Sequence, residues 1–155
     1  MEITIGESFQ NPEDIAYLSF LSDSGFLAGY TRFYQPGNRA SLALGSASTQ
    51  GWVTKMENDG WTGIAFVNVG AAPVSVALTA WSDNGNQVAA TTLSLAPGQK
   101  YVGMVGQLFN SDLTNATYVR YSTDKKLLGF TVSGSGDGQM LDGLHALGDY
   151  ISAKK

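Results

Sequence analysis

Cysteine is absent from the 155 residues, which removes disulfides, thiolate nucleophiles and cysteine-based zinc or iron–sulfur sites together. Histidine occurs once, as His145, so neither a Ser–His–Asp triad nor a histidine-cluster metal site can be assembled from familiar parts. Charge is scarce as well: 14% of the residues carry it, against about 25% in an average soluble domain. The 9 Lys and Arg gather in no stripe and the net charge is −4, which argues against nucleic acid and anionic membrane as partners. No apolar run approaches the roughly 20 residues of a membrane-spanning helix. Met1-Glu2-Ile3-Thr4 has neither the basic nor the apolar region of a signal peptide, so a cytosolic chain, or one whose leader has been removed, is expected.

What the chain has in abundance is glycine, 19 residues, together with Ser, Thr, Asn and Ala. That palette suits a polar, uncharged β surface, and the length is enough for one domain with its own core.

An internal repeat sets the organisation. Ile5-Gly6-Glu7-Ser8-Phe9 realigns with Val105-Gly106-Gln107-Leu108-Phe109, and Ala16 and Tyr17 with Ala116 and Tyr118. Asp23-x-x-Phe26-Leu27-Ala28-Gly29-Tyr30-Thr31 follows Asp124-x-x-Leu127-Leu128-Gly129-Phe130-Thr131 with one gap, and Ala43-Leu44-Gly45 follows Ala146-Leu147-Gly148. The duplicated stretches are 5–45 and 105–148. The chain then reads as a single β-sandwich-type domain over 1–155, arranged B–A–B: half-unit B (1–45), a unique middle A (46–104) and half-unit B again (105–155). The alternative is two small β subdomains split near 46–60. Such a layout is what cutting a tandem array would leave.

Period-2 alternation dominates the pattern. In Val74-Ser75-Val76-Ala77-Leu78-Thr79-Ala80-Trp81 the apolar residues share one face, which predicts a half-buried strand. Asn84-Gly85 at its exit is a tight-hairpin signal, so Gln87 to Leu95 should return antiparallel. Trp61 to Asn68 reads as a central strand entered from the turn Asn58-Asp59-Gly60. Further strands are expected near Ala16–Leu21, Phe26–Tyr34, Arg39–Leu44, Tyr118–Ser122, Leu127–Val132 and Met140–Leu147. Tyr101, Met104, Val105 and Leu108 fall at helical spacing, which predicts a short helix over 101–108, and the matching Ile5–Phe9 another. The expected fold class is all-β: an antiparallel β-sandwich with one or two short capping helices.

Trp61-Thr62-Gly63-Ile64-Ala65-Phe66-Val67-Asn68, the paired strands after it and Leu95-Ala96-Pro97-Gly98-Gln99 resemble tandem β-sandwich (Ig-like) repeat units of bacterial secreted or cell-surface proteins. Gly29-Tyr30-Thr31-Arg32-Phe33 and Leu128-Gly129-Phe130 fit such units too. The resemblance implies an extracellular or cell-surface setting, a spacer, adhesion or self-assembly role, and no catalytic residues.

Several features are weighed for chemistry. His145 reads as a structural strand residue rather than a lone general base. Glu57 with Asp59, Asp137 with Asp142, and Glu13 with Asp14 are the nearest carboxylate pairs, and all sit beside turns, so a hydrolase is the least supported class. Gly134-Ser135-Gly136-Asp137-Gly138 lacks the Lys-Ser/Thr of a phosphate-binding loop. Asn115-Ala116-Thr117 fits a glycosylation pattern that three residues make by chance. No cofactor is expected beyond calcium, whose oxygen ligands would be Asp83, Asn84, Asn86 and Asp137, in loops without EF-hand spacing. Trp81 has the parity of the solvent-facing Ser75, Ala77 and Thr79. Together with Trp52, Trp61, Tyr30 and Tyr34 it supplies candidate residues for stacking a sugar, with core or inter-unit packing as the competing use. The expected function is therefore a non-enzymatic structural or interaction module, whose partners are other protein units or copies of itself through strand edges. The alternative is a carbohydrate-binding module that takes glycans.

Overall fold

The structure, a computed structural model, describes residues 3–23, 28–43, 45 and 47–146. In chain order it runs through helix α1 (Ile5–Ser8), a 3-10 turn (Pro12–Asp14), strands β1 (Tyr30–Gln35), β2 (Asn38–Ala43), β3 (Ser48–Val53), β4 (Gly60–Val67), β5 (Val74–Trp81), β6 (Gln87–Leu95) and β7 (Lys100–Met104), helix α2 (Val105–Phe109), and strands β8 (Tyr118–Ser135) and β9 (Leu141–His145). The chain is mostly antiparallel β, and β3 to β9 form one curled seven-stranded sheet.

Strand β8 is its axis. The first part of β8 pairs with β5 on one side and β3 on the other; the second part pairs with β4 and β9. In both parts of β8 the odd-numbered residues face inward, and Val119, Tyr121, Leu127, Thr131 and Ser133 are all buried. Between the two parts, Asp124, Lys125 and Lys126 are exposed. Curling brings the inner residues of both ladders into one core, where Val76 and Leu78 of β5 join Ile64 and Phe66 of β4. The Phe66 and Tyr121 rings meet edge-on at 5.2 Å. Each such large side chain contributes about 1.5–3 kcal/mol by leaving water.

The hairpin of β5 and β6 forms as its alternation predicts, with Gly85 at φ +74° in the turn. At the exit of β4, Asn68 is buried and its amide binds three carbonyls, those of Ala72, Leu95 and Ala96, while its Oδ1 accepts from the Gly70 N–H. The side chain thus pins the β4–β5 loop to the end of β6.

Three local expectations are corrected. Residues 101–104 are not helical: Tyr101 pairs with Phe66 and Met104 with Gly63, and the helix is confined to Val105–Phe109. The open edge of β4 offers a ladder, and a single helical turn carries a nucleation cost that this ladder outweighs. Tyr118–Ser122 and Leu127–Val132 are parts of one strand rather than two. Ala16–Leu21 forms no strand. The strand β3 was not anticipated, and it occupies the edge of β8 opposite β5. Phe26, Leu27, Leu44, Leu147 and Gly148 lie outside the described residues, so those parts of the expected strands and of the repeat do too.

The two repeated stretches run through the same order of elements. Each opens on a one-turn helix, α1 or α2. Each then has an asparagine in the left-handed region, Asn11 at φ 52° and Asn110 at φ 47°. A local turn follows, closed by Ile15 N–H to Pro12 O in one and Ala116 N–H to Leu113 O in the other. Each ends in a hairpin, β1–β2 or the second part of β8 with β9. The first hairpin packs on the second: Phe33 lies 5.7 Å from Phe130, and Asn38 Nδ2 donates to Gly138 O at 2.6 Å. Ala40 and Leu42 are buried by this packing against β9.

Between helix and hairpin the halves part. Residues 118–123 enter the sheet as the start of β8, whereas 15–22 have no regular structure. The 101-residue offset set by Tyr17 and Tyr118 matches Phe20 to Tyr121. Tyr121 is 1% exposed and Phe20 41%.

Candidate functional site

The aromatic residues singled out in the sequence fall on three parts of the fold. Tyr30 and Tyr34 stand on the solvent side of β1, with Arg32 between them. Its guanidinium donates to both hydroxyls, at 2.9 Å to Tyr30 and 3.3 Å to Tyr34, and lies 5.1 Å from the Tyr30 ring centre. Trp61 sits at the start of β4, opposite Gly134 of β8, and its indole lies against that glycine. A Cβ at Gly134 would come within 2.7 Å of the ring nitrogen, so the indole takes the space that a side chain would fill.

Trp52 and Trp81 share the third surface, the outer side of the ladder formed by β6, β5, the first part of β8, and β3. Cross-strand register orders it in rows. Thr79 pairs with Arg120 and Arg120 with Trp52; Trp81 pairs with Tyr118. Trp52 and Tyr118 rings are 6.0 Å apart, tilted by 50°. The Arg120 guanidinium lies 5.2 Å from the Trp52 ring centre, and donates to Gln50 Oε1 at 3.5 Å. Ala77, Ser122 and Gln50 make the next row; on the far side of β5, Thr92 extends this row and Ala90 the Thr79 row. The face holds no carboxylate in these rows. Trp81 is half-buried, in keeping with its parity, and its Nε1 has no hydrogen-bond partner among the described residues. Tyr118 and Arg120 were missed in the sequence because the register that sets them beside Trp81 and Trp52 lies between strands far apart in the chain. Their parity within Tyr118–Ser122 is the available signal.

The calcium candidates stand in two turns. Asp83, Asn84 and Asn86 occupy the β5–β6 hairpin turn, closed by Gly85 N–H to Ser82 O and Ser82 N–H to Asn86 O. Asp137 is in the β8–β9 turn, where its Oδ1 accepts from Ser135 Oγ and from the Gln139 N–H. Those bonds hold its carboxyl below the usual carboxylate range, the Ser135 hydroxyl contributing most. Among the described residues no three His, Cys, Asp or Glu side chains cluster as metal ligands.

Of the other sequence features, Glu57 Oε2 lies 2.9 Å from Lys55 Nζ, and this contact raises the lysine pKa above its ordinary value. Glu57 and Trp61 border a shallow cleft of about 400 Å³ shared with Met104, Asp112 and Thr114. Asp112 accepts from the Thr114 hydroxyl and amide, which lowers its pKa. His145 pairs with Phe130 across the second hairpin, on the side that receives β2. A Cβ at Gly45 would meet the His145 ring at 2.7 Å, so the imidazole serves as a packing surface for the chain leaving β2. In Asn115-Ala116-Thr117 the alanine is buried, and Thr117 N–H donates to Trp81 O at 2.8 Å.

No family model and no curated protein matches the chain. Among solved structures, the crystal structure of Thermotoga maritima 1070 is similar over 66% of this chain and 90% of that one, at 7% identity and a TM-score of 0.48.

Proposed function

We propose that this chain is a non-enzymatic structural and interaction module, a β-sandwich unit arranged B–A–B that joins copies of itself through its first half-unit. One observation carries the reading. The sequence pattern that enters the core as α2 and β8 occurs a second time at 3–23, where it is laid out on the surface. Val105 and Phe109 are 2% and 5% exposed, while their counterparts Ile5 and Phe9 are 40% and 38% exposed; Leu21 is 99% exposed. A segment with the pattern of a buried strand and no ladder of its own is suited to adding to another sheet, where main-chain hydrogen bonds supply affinity and alternate side chains find pockets.

The receiving edge in a neighbouring copy is β7 or β6, each paired on one side. On β7, Val102 is 63% and Met104 41% exposed, so this edge offers apolar side chains as well as free main-chain groups. The resemblance to secreted and cell-surface repeat units supports an extracellular setting, in which head-to-tail addition would yield a spacer or a filament.

The test is light scattering coupled to gel filtration across a hundredfold range of protein concentration. Association that grows with concentration, and that Leu21→Asp with Phe20→Asp abolishes at unchanged thermal stability, is the expected result. A strict monomer at every concentration overturns the reading.

A further inference from the structure

We propose that the outer face carrying Trp52, Tyr118, Arg120 and Trp81 is a binding site for an acidic polysaccharide, one whose sugar rings bear carboxylates. This site is independent of the half-unit contact and lies on a different part of the fold.

The argument starts from the pleat. Strand spacing of about 4.8 Å puts Trp52 and Trp81, on either side of β8, roughly 10 Å apart across the sheet, with Tyr118 between them. An aromatic face carries the negative part of the ring quadrupole, and it attracts the polarised C–H groups on the flat side of a pyranose. Trp81 and Tyr118 stand in one row and Trp52 in the next, tilted by 50° to Tyr118, so the three rings make a stepped patch on which separate residues of a sugar chain can stack. The residues around them are small or uncharged, Ala77, Thr79, Ala90, Thr92, Ser122 and Gln50. They keep the surface shallow and line it with hydroxyl and amide groups that pair with sugar hydroxyls.

Arg120 sets the ligand class. It is an exposed cation in the Trp52 row, one row from Tyr118 and Trp81, and among the described residues no carboxylate lies within ion-pair distance of it. Its guanidinium is steadied by the Trp52 ring and by Gln50, so it is held in place before a ligand arrives. A planar guanidinium matches a carboxylate with two parallel N–H···O bonds. A neutral sugar would use the aromatic rings and leave the guanidinium to Gln50 and water, whereas a uronate brings it a carboxylate partner. The chain's net charge of −4 works against acidic ligands at long range, but at about 0.15 M salt that field is screened beyond roughly 8 Å, and the local contact decides.

The experiment is affinity electrophoresis and tryptophan fluorescence titration of the full chain with three probes: polygalacturonate, its methyl ester, and a neutral β-glucan. Binding to polygalacturonate at least tenfold tighter than to the ester is expected. Arg120→Gln should erase that preference while leaving any weak binding to the ester unchanged, and Trp52→Ala should weaken binding to both. Should Trp52→Ala fail to fold, Trp52→Leu, which keeps bulk and removes the ring, takes its place. Tyr34→Ala, on the other aromatic surface, should change nothing. No binding to polygalacturonate, equal binding to acid and ester, or loss through Tyr34→Ala with retention in Trp52→Ala each overturns the proposal. So does a self-association that Trp52→Ala abolishes, which would make this face a protein interface. Free galacturonate, as a further arm, should compete at concentrations well above those of the polymer, since it engages the arginine without spanning the rings.

Discussion

The two repeated stretches carry nearly the same pattern of apolar residues, turns and glycines, yet one forms the centre of the fold and the other lies on it. The difference lies in the available partners. Residues 119–122 are flanked by β3 on one side and β5 on the other, so the inward Val119 and Tyr121 meet the core and the main chain is bonded on both edges. Residues 15–22 have no such slot, because β8 already fills it. The comparison shows that an amphipathic pattern states what a segment can bury but not whether a place is free.

The strongest way to break this comparison is to delete the matched phenylalanine from each half. Phe109→Ala removes a buried core ring from α2, the helix that lies against β6 and β7, and should cost about 3–5 kcal/mol. Phe9→Ala removes one that is partly in water and should change stability by less than about 0.5 kcal/mol. Urea unfolding followed by tryptophan fluorescence reads both. A loss of several kcal/mol in Phe9→Ala would mean that the first half is seated as firmly as the second.

A smaller effect distinguishes the core-facing tyrosine of the seated half. Burial pushes the Tyr121 hydroxyl above its ordinary pKa of about 10, with the Ser48 hydroxyl at 2.6 Å partly offsetting the shift. Because the folded state holds this proton more tightly than the unfolded chain, stability from this group is fully present below about pH 10 and declines as pH rises from there through the folded pKa, by at most about 1.4 kcal/mol per pH unit. Tyr101, also raised by burial, adds to the same alkaline limb. Tyr121→Phe should lower stability by about 1 kcal/mol at neutral pH, through loss of the Ser48 bond, and make the decline above pH 10 shallower. Unfolding free energies from pH 7 to 11.5 would show both effects, and an unchanged alkaline slope would place the sensitivity elsewhere.

Much of the fold was legible where local pattern and local pairing coincide. The hairpin from Val74 to Leu95 needs no distant information, because the turn at Asn84-Gly85 sets the register and alternation sets the face. The two short helices were legible for a similar reason, since Ile5–Ser8 and Val105–Phe109 each set their turn from a few neighbouring residues. The strand at Ser48–Val53 was not. Its apolar residues are few, and it is a strand because β8 offers an edge there. The short helix was over-extended for the converse reason, since Tyr101 and Met104 have helical spacing from Val105 and Leu108 but pair with β4 instead. The aromatic face was half legible. Parity put Trp81 outward, but no sequence rule sets Trp52 beside Arg120, whose partnership is decided by the register of strands about 70 residues apart.

The finest test of the comparison uses the two matched helix glycines. A Cβ added at Gly6 or at Gly106 meets nothing within 4 Å, and neither has a positive φ that an alanine would resist. Alanine in place of glycine in a compatible conformation restricts the unfolded chain and is worth about 0.4–1 kcal/mol. In α2 that gain should appear in full, because Val105 and Phe109 on either side of Gly106 belong to the core and the helix unfolds with it. In α1 no residue is buried, so the helix can open while the rest stays folded. Gly6→Ala should then raise local helix content and leave the denaturation midpoint where it was. Equal shifts from both substitutions would show that the first helix unfolds with the core, and the asymmetry between the halves would have to be confined to residues 15–22.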